Sequence, residues 1–328
     1  MWKIGELEIK GKVMLAPMAG VTSFGYRKFM EKFGVGVTVT EMVSDMGLIY
    51  GNKETSEYIN FTKTDVPVGV QLFGSDPKNI AKAAEIVAKA VPFLDFIDVN
   101  MGCPVPKVTR NGAGSSLLKN PKLAGDIIRA IKSVVSVPVT AKIRLGWDDK
   151  HINFLEVISE LENAGVAMIG IHARTTKQLY YGEPQYELIR DLRKKMSVPL
   201  VVSGNIYSLE DAKKALEITG AEAVMVARGG MGNPMLIKQI NQYYLDGTIL
   251  PDPTFDEQVS YCLDLARYLI EEKGEEKAMR IYRSIAPKFF KGIPEVKKLN
   301  SRLASELVSY DSLVEIINDY KSRHIDDF

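Results

Sequence analysis

Eight short apolar runs punctuate the first 230 residues of this chain, and polar stretches with helical periodicity separate them. The runs are VMLAPMAG (13–20), VGVTVTEM (35–42), VPVGVQLFG (66–74), FLDFIDVNMGCP (93–104), VPVTAKIRLG (137–146), VAMIGIHART (166–175), VPLVVSGNI (198–206) and AEAVMVARGG (221–230). They are rich in Val and Ile, and most lack the strict alternation of a half-solvated strand. Strands covered on both faces of a parallel sheet have that character. Between them lie helical patterns such as DPKNIAKAAEIVAKAV (76–91) and SLEDAKKALEITG (208–220). The second opens on Ser208, an N-cap residue with Asp211 three positions on, and closes on Gly220. Eight strand–helix units in about 240 residues predict an α/β fold, a TIM (β/α)8 barrel. A doubly wound open sheet is the rival architecture. The regular repeats and the lack of an early GxGxxG argue against it.

The rhythm stops after Tyr244. The stretch LDGTILPDPTF (245–255) holds two prolines and a glycine and reads as a linker. From Asp256 onward only helical periodicity is present, so residues 256–328 are expected to form a small all-α helical domain beside a barrel of residues 1–244. The 328 residues are 46% apolar and 25% charged, and a net charge of +1 excludes a global pull toward nucleic acid or membrane. No stretch approaches 18 uninterrupted apolar residues, and the N-terminal MWKIGELEIKGKV has no apolar core of a secretory signal. The two cysteines, Cys103 and Cys262, make neither a disulfide framework nor a metal-ligand spacing. A metal-free, cytoplasmic monomer is the expectation.

Active sites of such barrels lie at the C-terminal strand ends. Those ends carry Pro17, Met18, Ala19 and Gly20 on the first strand, Gln71 on the third, and Asn100 and Cys103 on the fourth. Lys142 and Arg144 follow on the fifth, His172 and Arg174 on the sixth, Ser203, Gly204 and Asn205 on the seventh, and Ala227 and Arg228 on the eighth. A lysine within a buried strand needs a partner, and a negatively charged or carbonyl-rich ligand would be one. The small, glycine-rich ends of the last two strands suit a phosphate, so the rim suggests a phosphorylated cofactor such as flavin mononucleotide (FMN). His151 and His324 fall in a loop and in the tail and read as surface residues.

Cys103 sits in a turn between Gly102 and Pro104, where its thiol would project into the barrel mouth. A small apolar filler, a nucleophile activated from a distance, and a neutral general acid all remain open from the residues alone. Cys262, in VSYCLDLARYL, reads as core.

The chain resembles the tRNA-dihydrouridine synthases, most closely their bacterial B-type branch. The matching pieces are APMAGVT (16–22), VQLFGSDP (70–77), DVNMGCPVPKVTRNGAGSSLL (98–118), KIRLGW (142–147), IHART (171–175), SGNI (203–206) and ARGGMGNP (227–234). The resemblance implies an FMN enzyme that reduces uridine in tRNA to 5,6-dihydrouridine with NADPH or NADH as electron donor. It places Pro17, Met18 and Ala19 along the flavin, Gln71 and Lys142 on its ring, His172 in contact with it, and Ser203, Gly204, Asn205, Ala227 and Arg228 at its phosphate. Cys103 would protonate C5 as hydride reaches C6. Asn100 would bind the target base or the flavin edge, Arg174 the substrate, and Lys107 and Arg110 the RNA backbone. The chain departs from the family where Ser203-Gly204-Asn205 stands for the usual N-G-D and Ala227-Arg228 for Gly-Arg.

Between Lys277 and Arg302 the tail holds eight basic residues against the single acidic Glu295. Lys277, Arg280 and Arg283 recur every third position, which would fan them along one side of a helix, beside Tyr282, Phe289 and Phe290. Such a surface suits the backbone of a structured RNA. A flavin barrel acting on a free pyrimidine explains the cofactor site but leaves this tail unused. A non-catalytic RNA-binding protein explains the tail but not Cys103 and Lys142.

Overall fold

The structure, a computed structural model, describes residues 1–324. Its centre is one sheet of eight parallel strands, β3 (Val13–Leu15), β4 (Thr38–Ser44), β5 (Val68–Phe73), β6 (Phe96–Met101), β7 (Val139–Arg144), β8 (Ile169–His172), β9 (Leu200–Ser203) and β10 (Ala223–Val226). Each expected apolar run contains one of them, except that β4 extends two residues beyond its run, to Ser44. The strands pair in chain order, with β10 returning beside β3. The ring closes through a parallel bridge between Met14 and Val37, and Leu15 N donates to the Val37 carbonyl at 3.0 Å. The fold is therefore the expected (β/α)8 barrel.

An additional element precedes the barrel. Strands β1 (Trp2–Ile4) and β2 (Leu7–Ile9) form an antiparallel hairpin around Gly5, whose φ of +59° suits the turn. Ile4 and Ile9 are fully buried and pack with Met14, Val37, Phe96, Val201 and Met225. Those residues sit mostly near the strand starts, so the hairpin plugs the N-terminal end of the barrel.

The helices around the barrel are α1 (Phe24–Glu31), α2 (Asp45–Ile49), α3 (Lys53–Glu57), α4 (Pro77–Ala90), α5 (Pro106–Thr109), α6 (Pro121–Lys132), α7 (Phe154–Asn163), α8 (Leu209–Thr219) and α9 (Met235–Asp246). Helix α8 is capped as its sequence predicts: Ser208 accepts from Asp211 N, and Gly220 closes it at φ +71°. The regular repeat fails once. After β8 there are only two 3-10 turns, Tyr186–Ile189 and Leu192–Lys195. Gly182, Pro184 and a left-handed Asp191 (φ +53°) break up that segment before a full helix can propagate.

Helix α9 runs on to Asp246, and α10 (Phe255–Lys273) starts at Phe255 behind a Thr254–Glu257 capping box, so the connector is shorter than residues 245–255. Then follow α11 (Glu275–Tyr282), α12 (Val296–Ser305) and α13 (Tyr310–Arg323). Helix α10 lies directly on α1, where the backbone carbonyl of Tyr268 would stand 2.5 Å from any Cβ at position 25. Gly25 thus permits a contact no other residue would. Tyr282, Phe289 and Phe290, which adjoin the basic residues in sequence, are core residues and not part of the basic surface. They supply the apolar filling that a four-helix unit of this size needs. Cys262 is core as expected: burial pushes its thiol up to about 12, and Tyr282 Oη donates to its carbonyl at 2.6 Å. His324 is not a surface residue, because it stacks on Tyr320 at 4.3 Å between centroids. Among the described residues no helix is long and apolar enough to cross a membrane.

Candidate active site

All eight barrel strands send residues to one cavity of about 500 Å³ at their C-terminal ends. Pro17, Met18 and Ala19 form one wall, Gln71, Asn100 and Cys103 another, and Lys142, Arg144 and His172 a third. Ser203, Gly204, Asn205, Ala227 and Arg228 complete the lining. Every cofactor residue expected from the sequence therefore borders a single space.

A buried polar chain runs beneath the cavity. Asp98, 2% exposed, accepts from Thr140 Oγ1 and from Gln71 Nε2, each at 2.6 Å. Gln71 Oε1 accepts from Asn100 Nδ2 at 2.8 Å. Asn100 Oδ1 then accepts from the backbone N–H groups of Gly102 (3.2 Å) and Cys103 (2.9 Å). Four side chains from neighbouring strands thus fix the turn that presents the Cys103 thiol. Asn100, expected to touch the base or the flavin edge, lines the cavity while its oxygen also holds the Cys103 turn. Burial raises the Asp98 pKa, while its two donors and Lys142 act against the rise.

The cavity is cationic. Lys142 has no hydrogen-bond or ion-pair partner among the described residues, and burial, then Arg144, lowers its pKa to about 8. His172 is held well below its usual value by burial and by Lys142, Arg144, Arg174 and Arg228, so the imidazole is neutral. Its Nε2 faces Arg174 Nη1 at 3.2 Å. An arginine can only donate, so His172 carries its proton on Nδ1. Arg174 itself is fully buried and donates to Tyr181 O, Gly182 O and Asn205 Oδ1. It builds the loop and does not face the substrate space, a correction to its expected role. The physical reason is saturation: its donors are used inside the protein.

The β9 and β10 ends have the chemistry of a phosphate site. Ser203 Oγ is buried with no hydrogen-bond partner. The backbone N–H groups of Gly204, Asn205, Arg228 and Gly229 have no acceptor among the described residues. Gly204 sits at φ +138°, and a Cβ at Gly229 would stand 1.8 Å from the Ile206 carbonyl. Two glycines therefore keep this backbone bare. Orphan donors at one end, an unpartnered ammonium in the middle and an apolar Pro17–Ala19 wall fit a phosphorylated ring cofactor.

Several contributors gave no sequence signal of their own. Glu41 accepts from Gly20 N and braces the Met18–Gly20 loop from behind. Thr140 and Asp98 form the base of the polar chain, and Tyr180 and Met42 line the cavity. A charged residue inside the apolar run FIDVN was the one available clue to Asp98.

The basic residues divide. Lys107 and Arg110 are exposed at α5, just past Cys103, with no ion pair among the described residues. Lys277 pairs with Glu57 at 3.1 Å, Lys298 with Glu295 at 2.5 Å, and Arg302 with Glu306 and Asp319. Arg283 caps α11 and donates to the Leu307 carbonyl at 2.7 Å, so it does not join Lys277 and Arg280 in one exposed file. Arg280, Lys288, Lys291 and Lys297 are exposed without an ion pair among the described residues. Lys288 and Lys291 border a groove of about 840 Å³ that shares Tyr207 and Gly229 with the cavity.

A family model described as dihydrouridine synthase (Dus) matches residues 14–318. The tRNA-dihydrouridine synthase B of Vibrio vulnificus is 36% identical over 281 residues, 86% of this chain and 87% of the relative. That of Pseudomonas putida is 36% identical over 301 residues, 92% and 88% of the two chains. Among solved structures, the old yellow enzyme homologue from Zymomonas mobilis superposes with a TM-score of 0.54 at 13% identity, covering 78% of this chain and 94% of its own. At that identity the likeness is one of fold.

Proposed function

This chain belongs to the dihydrouridine synthase family, and from that premise we propose that it reduces uridines of tRNA to 5,6-dihydrouridine, with FMN as cofactor and NADPH or NADH as electron donor. The observation that carries the reading is the placement of Cys103: its thiol borders the same cavity as the unpartnered Lys142 and the bare β9 and β10 loops.

Reduced FMN, when bound, supplies the hydride for uracil C6. The residues of the chain do the rest. The N–H groups of Gly204, Asn205, Arg228 and Gly229 bind the phosphate, with the Arg228 guanidinium beside them. Lys142 places positive charge at the electron-rich part of the ring, and the neutral His172 offers Nδ1–H as a donor. Cys103 gives its thiol proton to C5, so hydride and proton together add two hydrogens across the C5–C6 double bond. The resulting thiolate lies near the charges of Lys142 and Arg144. Asn100 keeps the turn from drifting during the transfer.

A uridine inside folded RNA must leave its stack to reach this depth. Lys107 and Arg110 at one rim, Lys288 and Lys291 across the shared groove, and the exposed Arg280 of α11 would carry the phosphate backbone. Lys277 and Arg283 support that surface more than they contact RNA, given their partners. A cytoplasmic monomer in which residues 1–246 do the chemistry and the α10–α13 helices hold tRNA completes the proposal.

The test is to incubate the flavin-loaded protein and NADPH with tRNA lacking dihydrouridine and map two-hydrogen mass gains by nucleotide. Gains at defined uridines are expected. A flavoprotein that oxidises NADPH yet modifies no tRNA would redirect the reading to a free pyrimidine.

A further inference from the structure

Helix α1 starts directly behind the Pro17–Ala19 wall of the cavity, and its own segment does not cap it. Ser23 holds the N-cap position, yet its side chain accepts nothing from the first turn. The hydroxyl instead donates to Glu272 of α10 at 2.7 Å, and the same carboxylate oxygen accepts from Gly25 N at 2.8 Å. A carboxylate from the helical unit therefore satisfies a bare N–H at the start of a barrel helix and meets the positive end of its dipole. Glycine at position 25 lets it approach: a Cβ there would stand 3.0 Å from that oxygen. The other Glu272 oxygen accepts from Lys273 Nζ at 2.9 Å. Burial alone would raise the Glu272 pKa, but Lys273, Ser23 and the Gly25 N–H outweigh it and hold the group below its usual value, as a carboxylate.

The capped helix is tied to the cavity wall by short steps. Thr22 Oγ1, beside Ser23 in the chain, accepts from Met18 N at 2.8 Å and donates to Met18 O at 3.2 Å. The N–H groups of Val21 and Thr22 donate to that carbonyl as well, each at 3.0 Å. Arg27 of α1, itself buried, donates from Nη1 to Thr22 O at 2.9 Å. Met18 thus has both backbone polar groups bound to Thr22, and Thr22 is bound to α1. Glu41 holds the far side of the same loop at Gly20 N and borders, with Glu272, a cavity of about 350 Å³.

We propose that Glu272 is a positioning residue for the flavin wall: from the helical unit it caps α1 and so fixes where Met18 stands in the cavity. The proposal rests on the reading that FMN lies along Pro17–Ala19, and it adds that the α10–α13 unit shapes the cofactor site as well as holding RNA.

The test compares Glu272→Ala, Glu272→Gln and Asp264→Asn with the unaltered protein. Asp264 also joins α10 to α1, but through Lys32 at the far end of α1, so its loss weakens docking without touching the cap. Three quantities are read: hydrogen exchange of residues 18–22 in the flavin-free protein, FMN affinity by quenching of flavin fluorescence, and the urea midpoint. Glu272→Ala is expected to speed exchange at Val21 and Thr22 and to weaken FMN binding, each about 5- to 10-fold, the size of one lost helix cap. Glu272→Gln keeps an acceptor oxygen and should recover most of both losses. Asp264→Asn should lower the urea midpoint slightly and leave exchange and FMN affinity unchanged. Unchanged exchange and FMN affinity in a folded Glu272→Ala protein overturn the proposal. Equal losses in Asp264→Asn overturn it too, because they assign the effect to docking in general. If Glu272→Ala does not fold, Ser23→Ala is read in its place. It removes one of two bonds to the carboxylate and should speed the same exchange about threefold; no change there overturns the role. An unaltered protein that binds no FMN counts against the cofactor reading, whereas exchange at Val21 and Thr22 still decides what Glu272 holds.

Discussion

The cavity mouth and the basic tail both concentrate positive charge, but they hold it differently. At the mouth, Lys142, Arg144 and Arg228 line a small space, and Lys142 has no hydrogen-bond or ion-pair partner among the described residues. In the tail, Lys277, Lys298 and Arg302 are paired with carboxylates. Burial makes Lys142 and Arg144 strong and specific, because water screens them poorly, whereas Arg228 stands exposed at the rim. Exposure makes each tail cation weak, salt-sensitive and replaceable. A run of basic letters therefore overstates the field of the tail, while isolated basic letters understate that of the mouth.

The sharpest way to break this contrast is at the mouth itself. Cys103→Ala should lower uridine reduction by about 10² to 10⁴ with flavin content unchanged, measured as initial rates on tRNA. An active Ala variant would remove the acid from the mechanism. Next in size is Asp98→Ala, which leaves Thr140 and Gln71 facing an empty buried position. A loss of about 2–4 kcal/mol in urea unfolding is expected, together with slower turnover as the Cys103 turn loosens.

A third test uses protonation. Lys142 has a pKa of about 8 in the folded protein against 10.5 for the ordinary side chain. The unfolded chain therefore holds this proton more tightly, and the Lys142 contribution to stability of the flavin-free protein should rise between pH 8 and pH 10.5. Binding to an electron-rich ligand has the opposite sign. It needs the ammonium, so flavin affinity should fall by up to about tenfold per pH unit above pH 8, read from flavin fluorescence. Lys142→Met should flatten that dependence.

The smallest effects belong to the tail. Arg280→Glu and Lys291→Glu should each weaken tRNA binding a few-fold and reduce the slope of log affinity against log salt by about one. Lys298→Glu, whose charge is already matched by Glu295, should change that slope less. Equal slopes for all three would erase the distinction between paired and free cations.

The barrel was legible because its strands announce themselves: covered on both faces, they must be apolar throughout, and Val and Ile mark them. The cap at Ser208 and the stop at Gly220 were legible for the same local reason. The hairpin was not, although Trp2, Ile4, Leu7 and Ile9 show its alternation on either side of Gly5, because three-residue strands gather too few letters. Residues ending in the cavity could be read from strand ends, but their partners could not. That Arg283 reaches Leu307 and Arg174 reaches Asn205 follows from contacts between distant segments, which no short window of sequence contains. That Asn100 serves the Cys103 turn is a local contact, between residues two and three positions apart, and depends on the backbone conformation of the turn rather than on residue type. The aromatics of the tail lie beside its basic residues in sequence but inside in the fold, because a helical unit of this size needs them as core.

The hairpin that stoppers the barrel floor bears on kinetics. With Ile4 and Ile9 packed near the strand starts, the chamber above them is reached from the C-terminal ends of the strands. On the proposed reaction, nicotinamide and uridine would use the same entrance in alternation, one leaving before the other arrives. Double-reciprocal plots at several fixed donor concentrations should give parallel lines, the signature of such turn-taking.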